Sequence, residues 1–318
     1  MKRKQEKILV SGGAGFIGSH LVEQLVAQGA EVIVIDNLTS GREKNLNSVR
    51  EKIRFYRCDI RHYQKLKEIL RAEKPSLIFH LAAHASVPDS ARLPRYDFST
   101  NALGSFNLLS LSRFLPLKKF IYASSVASYG EPQTVPIKET HPLEPISIYG
   151  ATKLSAERLG LSFYHTYGLP FVALRLFNIY GPRQPRYVMR DFFCKIRQNP
   201  DQLTVLGEGE QIRDFCYVAD CVRAFLAAAE KKESLGEVFN IGSGQGTKIK
   251  DLARLIIEIE GKEGKTELCF TGSSWPGDAQ RLVADINKAR RLLGFQPRVS
   301  LRQGLISLRQ WLVEEKII

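Results

Sequence analysis

Ile8-Leu-Val-Ser-Gly-Gly-Ala-Gly-Phe-Ile-Gly-Ser-His20 passes from a strand into a helix through a run of glycines. Ile8 to Ser11 is a short apolar run of strand type, and Gly12, Gly15 and Gly18 follow at GxxGxxG spacing. A helix with apolar positions Ile17, Leu21, Leu25 and Val26 begins at once and stops at Gly29. Glycines so placed permit a tight turn, close approach of backbone to a pyrophosphate, and close packing of helix on strand. The helix N-terminus adds N–H donors. Residues 31–36, Glu-Val-Ile-Val-Ile-Asp, read as a second buried strand closed by an acid 18 residues after Gly18. A carboxylate there meets the adenosine ribose hydroxyls. The series strand, glycine loop, helix, strand, acid predicts a dinucleotide site. Asp36 repels a 2′-phosphate and favours NAD over NADP; Arg42 is the nearby feature of opposite tendency.

The same alternation continues. Residues 53–58 and 77–81 read as strands flanking a helical stretch at 63–72. Asp59-Ile60 closes the first, where the acid either reaches the adenine or simply caps the next helix. Leu81, Ala82 and Ala83 close the second with side chains that let a cofactor lie against the backbone. Residues 84–94, with Ser86, Pro88, Asp89 and Ser90, read as a loop. Apolar residues recur at helical spacing over 100–114, and 119–125 is a fifth strand ending in the hydroxyls of Ser124 and Ser125. This order predicts an α/β fold on a right-handed, mostly parallel sheet. Ligands bind such sheets at the C-terminal ends of the strands, where all these residues fall.

Pro136, Pro142 and Pro145 mark 134–145 as loop, and Tyr149-Gly-Ala-Thr-Lys153 then opens a helix reaching to 167. Tyr149 and Lys153 are four apart, so they share one helix face. A phenol titrates near pKa ~10, too high for a base at neutral pH. A nearby ammonium, or the positive ring of an oxidised nicotinamide, favours the phenolate. The spacing alone also occurs on solvated helices; the dinucleotide sheet before it is what gives it weight.

Beyond this helix the pattern is less regular. Residues 170–178 form another buried strand, 186–198 a helix, 203–206 and 213–218 strands, 220–231 a helix, and 237–241 a strand returning to the sheet. The expected organisation is an NAD-binding domain of residues 1–178, rejoined by 214–242. A smaller C-terminal α/β substrate-binding lobe is expected from 179–213 and 243–318. No internal repeat or low-complexity tract interrupts it.

Composition bounds the function. A chain of 318 residues with 25% charged and 44% hydrophobic residues has the length for one large domain, or for one domain with a smaller lobe. No apolar run approaches the ~18 residues of a membrane helix, and the basic N-terminus leads straight into the first strand without a signal-peptide core. A cytoplasmic protein is expected. Five cysteines (58, 194, 216, 221, 269) show no metal-ligand spacing, which predicts free buried thiols and no metal. The net charge of +13 is scattered among acids rather than gathered in a stripe with aromatics. That argues against nucleic acid and suits an anionic small substrate such as a diphosphate.

With these residues in place, the chain resembles the extended short-chain dehydrogenases/reductases, in their nucleotide-sugar epimerase/dehydratase branch. SGGAGFIGSH, HLAAHASVPDS, YASSVASYG, YGATK, LRLFNIYGPRQ, RDFCYVAD, NIGSG and PGDAQRLVADINKARRLLGFQP carry the resemblance nearly end to end. It implies a Rossmann-type doubly wound sheet, NAD as cofactor and a nucleotide sugar as substrate. It also implies a homodimer through the helices at 100–114 and 149–167, although an apolar stripe packs equally well internally. Carried over, the pattern makes Tyr149 the general base, and Lys153 the residue that orients the nicotinamide ribose and lowers the phenol's pKa. Ser125 takes the hydroxyl position against the reacting sugar oxygen, with Ser124 its neighbour; alone, it would read as a satisfied strand-end serine. The cofactor falls to Gly12, Gly15, Phe16, Ile17 and Gly18, to Asp36, Asn37, Asp59 and Ile60, and to Leu81, Ala82, Ala83 and Ser124 with Tyr149 and Lys153. Asn178 and Arg213 match positions that hold the substrate diphosphate, Arg213 otherwise being an ordinary ion pair with Asp214.

The resemblance also bears on the reaction. Sugar 4,6-dehydratases of the family carry Thr-Asp-Glu where this chain has Ser125, Val126 and Ala127, and neither Val126 nor Ala127 transfers protons. What remains implied is a redox-neutral 4-epimerisation: oxidation at C4 to a 4-ketosugar, rotation, and re-reduction on the opposite face. The alternatives are a nucleotide-4-ketosugar reductase and, in another class, a non-catalytic NAD-binding protein. The loop around Ser86 is similar to that of epimerases acting on N-acetylated hexosamines, and Leu282 stands near a position where some glucose-specific epimerases place a tyrosine. Trp275-Pro-Gly-Asp278 replaces an Arg-Pro-Gly-Asp common in the family, with Arg281 three residues on to compensate. Leu206 stands where some members stack an aromatic ring on uracil. A UDP-sugar is favoured.

Overall fold

The computed structural model describes residues 6–272 and 279–318. Runs of Val, Ile and Leu between glycine turns make strands that are buried on both faces, as a parallel sheet requires. The N-terminal half contributes β1 (Lys7–Ser11), α1 (Phe16–Ala27), β2 (Glu31–Asp36), β3 (Ile53–Arg57), α2 (Tyr63–Glu73) and β4 (Leu77–His80). Then come α3 (Val87–Arg92), α4 (Pro94–Phe98), a π-helical turn (Ser99–Gly104), α5 (Ser105–Ser112) and β5 (Lys119–Ser125). The long α6 (Ile148–Tyr167) leads to β6 (Phe171–Leu176) and β7 (Asn178–Tyr180). The remainder is α7 (Val188–Gln198), β8 (Gln202–Val205), β9 (Ile212–Tyr217), α8 (Val218–Glu230), β10 (Val238–Ile241) and β11 (Gly246–Lys248). Last are α9 (Ile249–Ile259), β12 (Glu267–Phe270), β13 (Arg281–Leu282), α10 (Asn287–Leu293) and α11 (Leu301–Glu314).

Seven parallel strands form the main sheet in the order β10-β6-β5-β4-β1-β2-β3. The order reverses between β1 and β4, so their C-terminal ends flank a crevice. This is the Rossmann-type fold expected, and β10 does return to it. On one face Leu21, Val22 and Leu25 of α1 pack with Val222 and Phe225 of α8; on the other, Leu66, Ile69 and Leu70 of α2 join Leu108 of α5 and Phe163 of α6. A third core gathers Phe192, Phe193 and Ile196 of α7, Leu252 and Ile256 of α9, and Leu305, Leu308 and Leu312 of α11. It backs a four-stranded sheet, β11-β9-β13 with β7 also paired to β9, so the division at 213/214 lies inside β9.

Several local readings are corrected. Residues 84–94 are not loop throughout: Pro88 sits in the first turn of α3, where its missing N–H costs nothing, and the Ser86 hydroxyl caps it by accepting from Asp89 N at 3.2 Å. The helix expected at 100–114 begins as a π turn, and 170–178 divides into β6 and β7. Cys58, Cys216 and Cys221 are buried thiols, whereas Cys194 and Cys269 are only half-buried; all five are free. No helix among the described residues is long and apolar enough to cross a membrane.

Candidate active site

At the crevice, Gly12 has φ +73°, and a Cβ on it would stand 2.7 Å from Ala82 N at the end of β4. A Cβ on Gly18 would stand 2.1 Å from the Gly12 carbonyl oxygen, so only glycine lets α1 approach the loop. No side chain caps α1 at Gly15, which leaves its first-turn N–H groups for an anion. Gly12, Gly15, Phe16, Ile17 and Leu81 to Ala83 are half-buried around this opening. Asp36, 7% exposed, accepts from Ala14 N at 3.0 Å and Leu38 N at 2.8 Å, tying the end of β2 to the glycine loop. Burial raises its pKa against those two hydrogen bonds. Arg42 is exposed.

Asn37 donates to Asp59 at 2.8 Å, and Arg61 grips Asp59 with two donors at 2.9 and 2.8 Å. Burial works against the Asp59 carboxylate, but these bonds prevail and hold its pKa at about 2. Ile60 is buried against Gly104.

Tyr149 and Lys153 emerge one turn apart from α6, whose start is fixed by Ser147 accepting from Gly150 N at 3.1 Å and by Ser90 accepting from Tyr149 N at 3.1 Å. The Ser125 hydroxyl accepts from Ala127 N at 3.2 Å and lies near enough to the Tyr149 phenol to favour its ionised form. Burial raises the Tyr149 phenol strongly, helped by Tyr187 and Asp97 and opposed by Ser125 and Arg186. Lys153 is 3% exposed; burial lowers its pKa to about 7, against Asp97 and Glu157.

Ser124 turns the other way, donating to Glu157 at 2.6 Å. Three groups that sequence reasoning missed complete the support. His80 bridges Ser11 and Ser105 at 2.6 and 2.8 Å, and burial followed by Lys153 depresses it to about 3, so it stays neutral. Fully buried Asp97 accepts from Thr152 at 2.5 Å, from Asn101 at 3.1 Å and pairs with His84 at 2.9 Å. Glu157 continues the four-residue step of Tyr149 and Lys153, a signal that was available in the sequence.

Of the residues expected to bind substrate, Ser86 is buried as the α3 cap. The small sheet carries three others, Asn178 and Arg213 on one face and Arg281 on the other. Asn178 on β7 donates to Asp214 O at 3.1 Å, Arg213 on β9 donates to Gln280 O at 3.4 Å, and Arg281 is the exposed start of β13. The Asp214 carboxylate accepts from Ser243, Gly244 and Ala284 backbone N–H groups at 2.6, 2.9 and 3.1 Å. Trp275 and Asp278 lie outside the described residues.

A family model described as GDP-mannose 4,6 dehydratase matches residues 9–308. Similar solved structures include the UDP-glucose 4-epimerase of Thermotoga maritima with UDP-glucose (40% identity, TM-score 0.91, covering 98% of this chain and 99% of that one). The UDP-N-acetylglucosamine 4-epimerase of Methanobrevibacter ruminantium M1, in complex with UDP-N-acetylmuramic acid, is 33% identical with a TM-score of 0.90, covering 98% and 100%. The UDP-glucuronic acid 4-epimerase of Bacillus cereus, in complex with UDP-glucuronic acid and NAD, is 34% identical with a TM-score of 0.89, covering 97% and 99%.

Proposed function

Since the chain belongs to the extended short-chain dehydrogenase/reductase family, in its nucleotide-sugar epimerase branch, we propose that it is an NAD-dependent 4-epimerase of a UDP-hexose or UDP-N-acetylhexosamine. The observation that carries this reading is the proton inventory around Tyr149. Ser125 stands beside it, and the short turn that follows, Val126–Ser128, has Val126 and Ala127 first, neither of them an acid or a base. Elimination of water calls for further proton-transferring groups; oxidation and re-reduction of one hydroxyl calls for a single acid–base residue.

The crevice residues fit NAD: the space left by absent Cβ atoms at Gly12 and Gly18, the uncapped start of α1, and the Asp36 carboxylate at the end of β2. When bound, NAD supplies a reversible hydride acceptor and, oxidised, a positive ring that favours phenolate. In this reading Tyr149 takes the proton of the sugar 4-hydroxyl and later returns it to the same oxygen. Ser125 holds that oxygen, and Lys153 supplies positive charge one turn below the phenol. Asn178 pairs with Phe215, two residues on from Arg213, so the two share one face of the small sheet, which supports a role for both on the diphosphate; Arg281 pairs with Ile212 on the other face and gains no such support. A homodimer is supported by the exposed Phe98, Leu103 and Phe106 beside α6.

The test is incubation of purified protein with UDP-glucose, UDP-N-acetylglucosamine and UDP-glucuronate, without and then with added NAD, followed by product NMR. The C4 epimer of either of the first two is expected. Product from the uronate alone would change the sugar, and no epimer from any of the three with NAD present would overturn the reading.

A further inference from the structure

Residues 181–187, between β7 and α7, join the two banks of the crevice. At one end His20 Nε2 donates to the Pro182 carbonyl at 3.0 Å, and Arg183 donates to Ser19 Oγ at 3.2 Å and Glu23 at 2.7 Å. His20, Ser19 and Glu23 all lie on α1, the helix that the glycine loop opens. At the other end Arg186 donates to Asp89 at 2.8 Å and to the Ala85 carbonyl at 3.0 Å, and the Tyr187 hydroxyl donates to the same carbonyl at 2.5 Å. Ala85 and Asp89 belong to the bank that follows β4.

Three features show that this crossing is built rather than incidental. Arg183 (φ +70°) and Tyr187 (φ +87°) both hold left-handed backbone, which side chains other than glycine adopt only when the surroundings impose it. Between them Gln184 is 3% exposed, and its Oε1 is buried without a donor among the described residues. A buried acceptor left open in this way is suited to a donor from outside the protein. The far anchor also reaches the chemistry: Asp89 precedes Ser90, which accepts from Tyr149 N. Arg186 and Tyr187 both act on the Tyr149 phenol, in opposite senses.

We propose that residues 181–187 form a strap, latched by Arg186 to Asp89, that retains the dinucleotide through turnover and positions Tyr149. The inference rests on the epimerase reading. Redox-neutral epimerisation needs it, because cofactor lost in its reduced state leaves the ketosugar with no means of return. The Arg186–Asp89 pair is partly exposed, 43% and 28%, so it can open to admit the cofactor. Arg186, Asp89 and Tyr187 are thus positioning residues.

The experiment loads wild type, Arg186→Met, Asp89→Asn and Tyr187→Phe with radiolabelled NAD, and measures its exchange against excess unlabelled NAD. Epimerisation is then assayed after dilution, with and without NAD added back. We expect exchange at least about tenfold faster in the first two variants, with wild-type melting and dilution-sensitive turnover that added NAD restores only in part, the kcat still lost at saturating NAD reporting the displaced Tyr149. Exchange at the wild-type rate in all three variants would overturn the strap alone, as would free exchange in a wild type that epimerises. A wild type that neither binds NAD nor epimerises any UDP-sugar would overturn the functional reading with it.

Discussion

The Lys153 ammonium stands 4.3 Å from the centre of the Tyr122 ring, and both side chains are buried. Tyr122 also donates its hydroxyl to the Lys153 carbonyl at 3.3 Å. The face of an aromatic ring attracts a cation but does not replace water, so burial still drives the lysine down to about 7.

A pH-dependent stability follows. The folded pKa of Lys153 lies below the ordinary 10.5, so the unfolded chain binds more protons between about 7 and 10.5. The cost of burying the ammonium is full below about 7 and is relieved as pH rises through that window. Lys153→Met should therefore stabilise the cofactor-free protein at pH 6.5 by on the order of a few kcal/mol, and much less at pH 10. Melting temperatures of both proteins at the two pH values check this; a gap independent of pH contradicts it. The variant should lose turnover despite its higher stability.

Tyr149→Phe removes the proposed base while leaving the ring in its place beneath Ser90 and Ser125. Turnover should fall by roughly 10²–10⁴, with NAD affinity and melting unchanged. Equilibrium binding measured beside the rate separates loss of chemistry from loss of fold, and a near-normal rate removes Tyr149 from its role.

The sheet was legible because apolar runs and glycine turns are local signals: β5 occupies 119–125, as its sequence implies, and Asp36 ends β2. Other features were hidden for stated reasons. Pro88 and three flanking polar residues looked like loop because proline breaks helix interiors, yet in the first turn it starts α3. The π turn at Ser99–Gly104 carries Asn101, whose side chain holds both backbone groups of His84, a long-range contact that periodicity does not encode. Asn178 starts a separate strand because it pairs with Phe215 on β9, far along the chain. The strap's bonds from Arg186 and Tyr187 to Ala85 and Asp89 span about a hundred residues and leave no local trace.

Asp36 offers a direct test of cofactor choice. Its carboxylate holds Ala14 N and Leu38 N at the end of β2, and on the proposed reading it would repel a 2′-phosphate there. Asp36→Asn removes the charge but keeps one acceptor oxygen. NAD affinity should weaken, and discrimination against NADP should fall by about tenfold or more. Dissociation constants for the two dinucleotides decide it; an unchanged ratio sinks the ribose assignment.

Glu157 allows stability and activity to be separated. Its carboxylate takes Arg175 at 2.6 and 3.0 Å and Ser124 at 2.6 Å, and Arg175 continues to Tyr129 at 2.8 Å, all of it buried. Glu157→Gln leaves a buried guanidinium without its counter-charge and should destabilise by roughly 3–5 kcal/mol. Glu157→Leu with Arg175→Met removes both charges and should recover most of that loss, because neither ion is then stranded. Turnover should not recover, since Glu157 also supports the charge of Lys153, and without it the lysine pKa falls below about 7. Urea midpoints and kcat at pH 7.5 for the single and double variants test both halves. A double variant as unstable as the single one contradicts the ion-pair account, and one with wild-type turnover removes Glu157 from the support of Lys153.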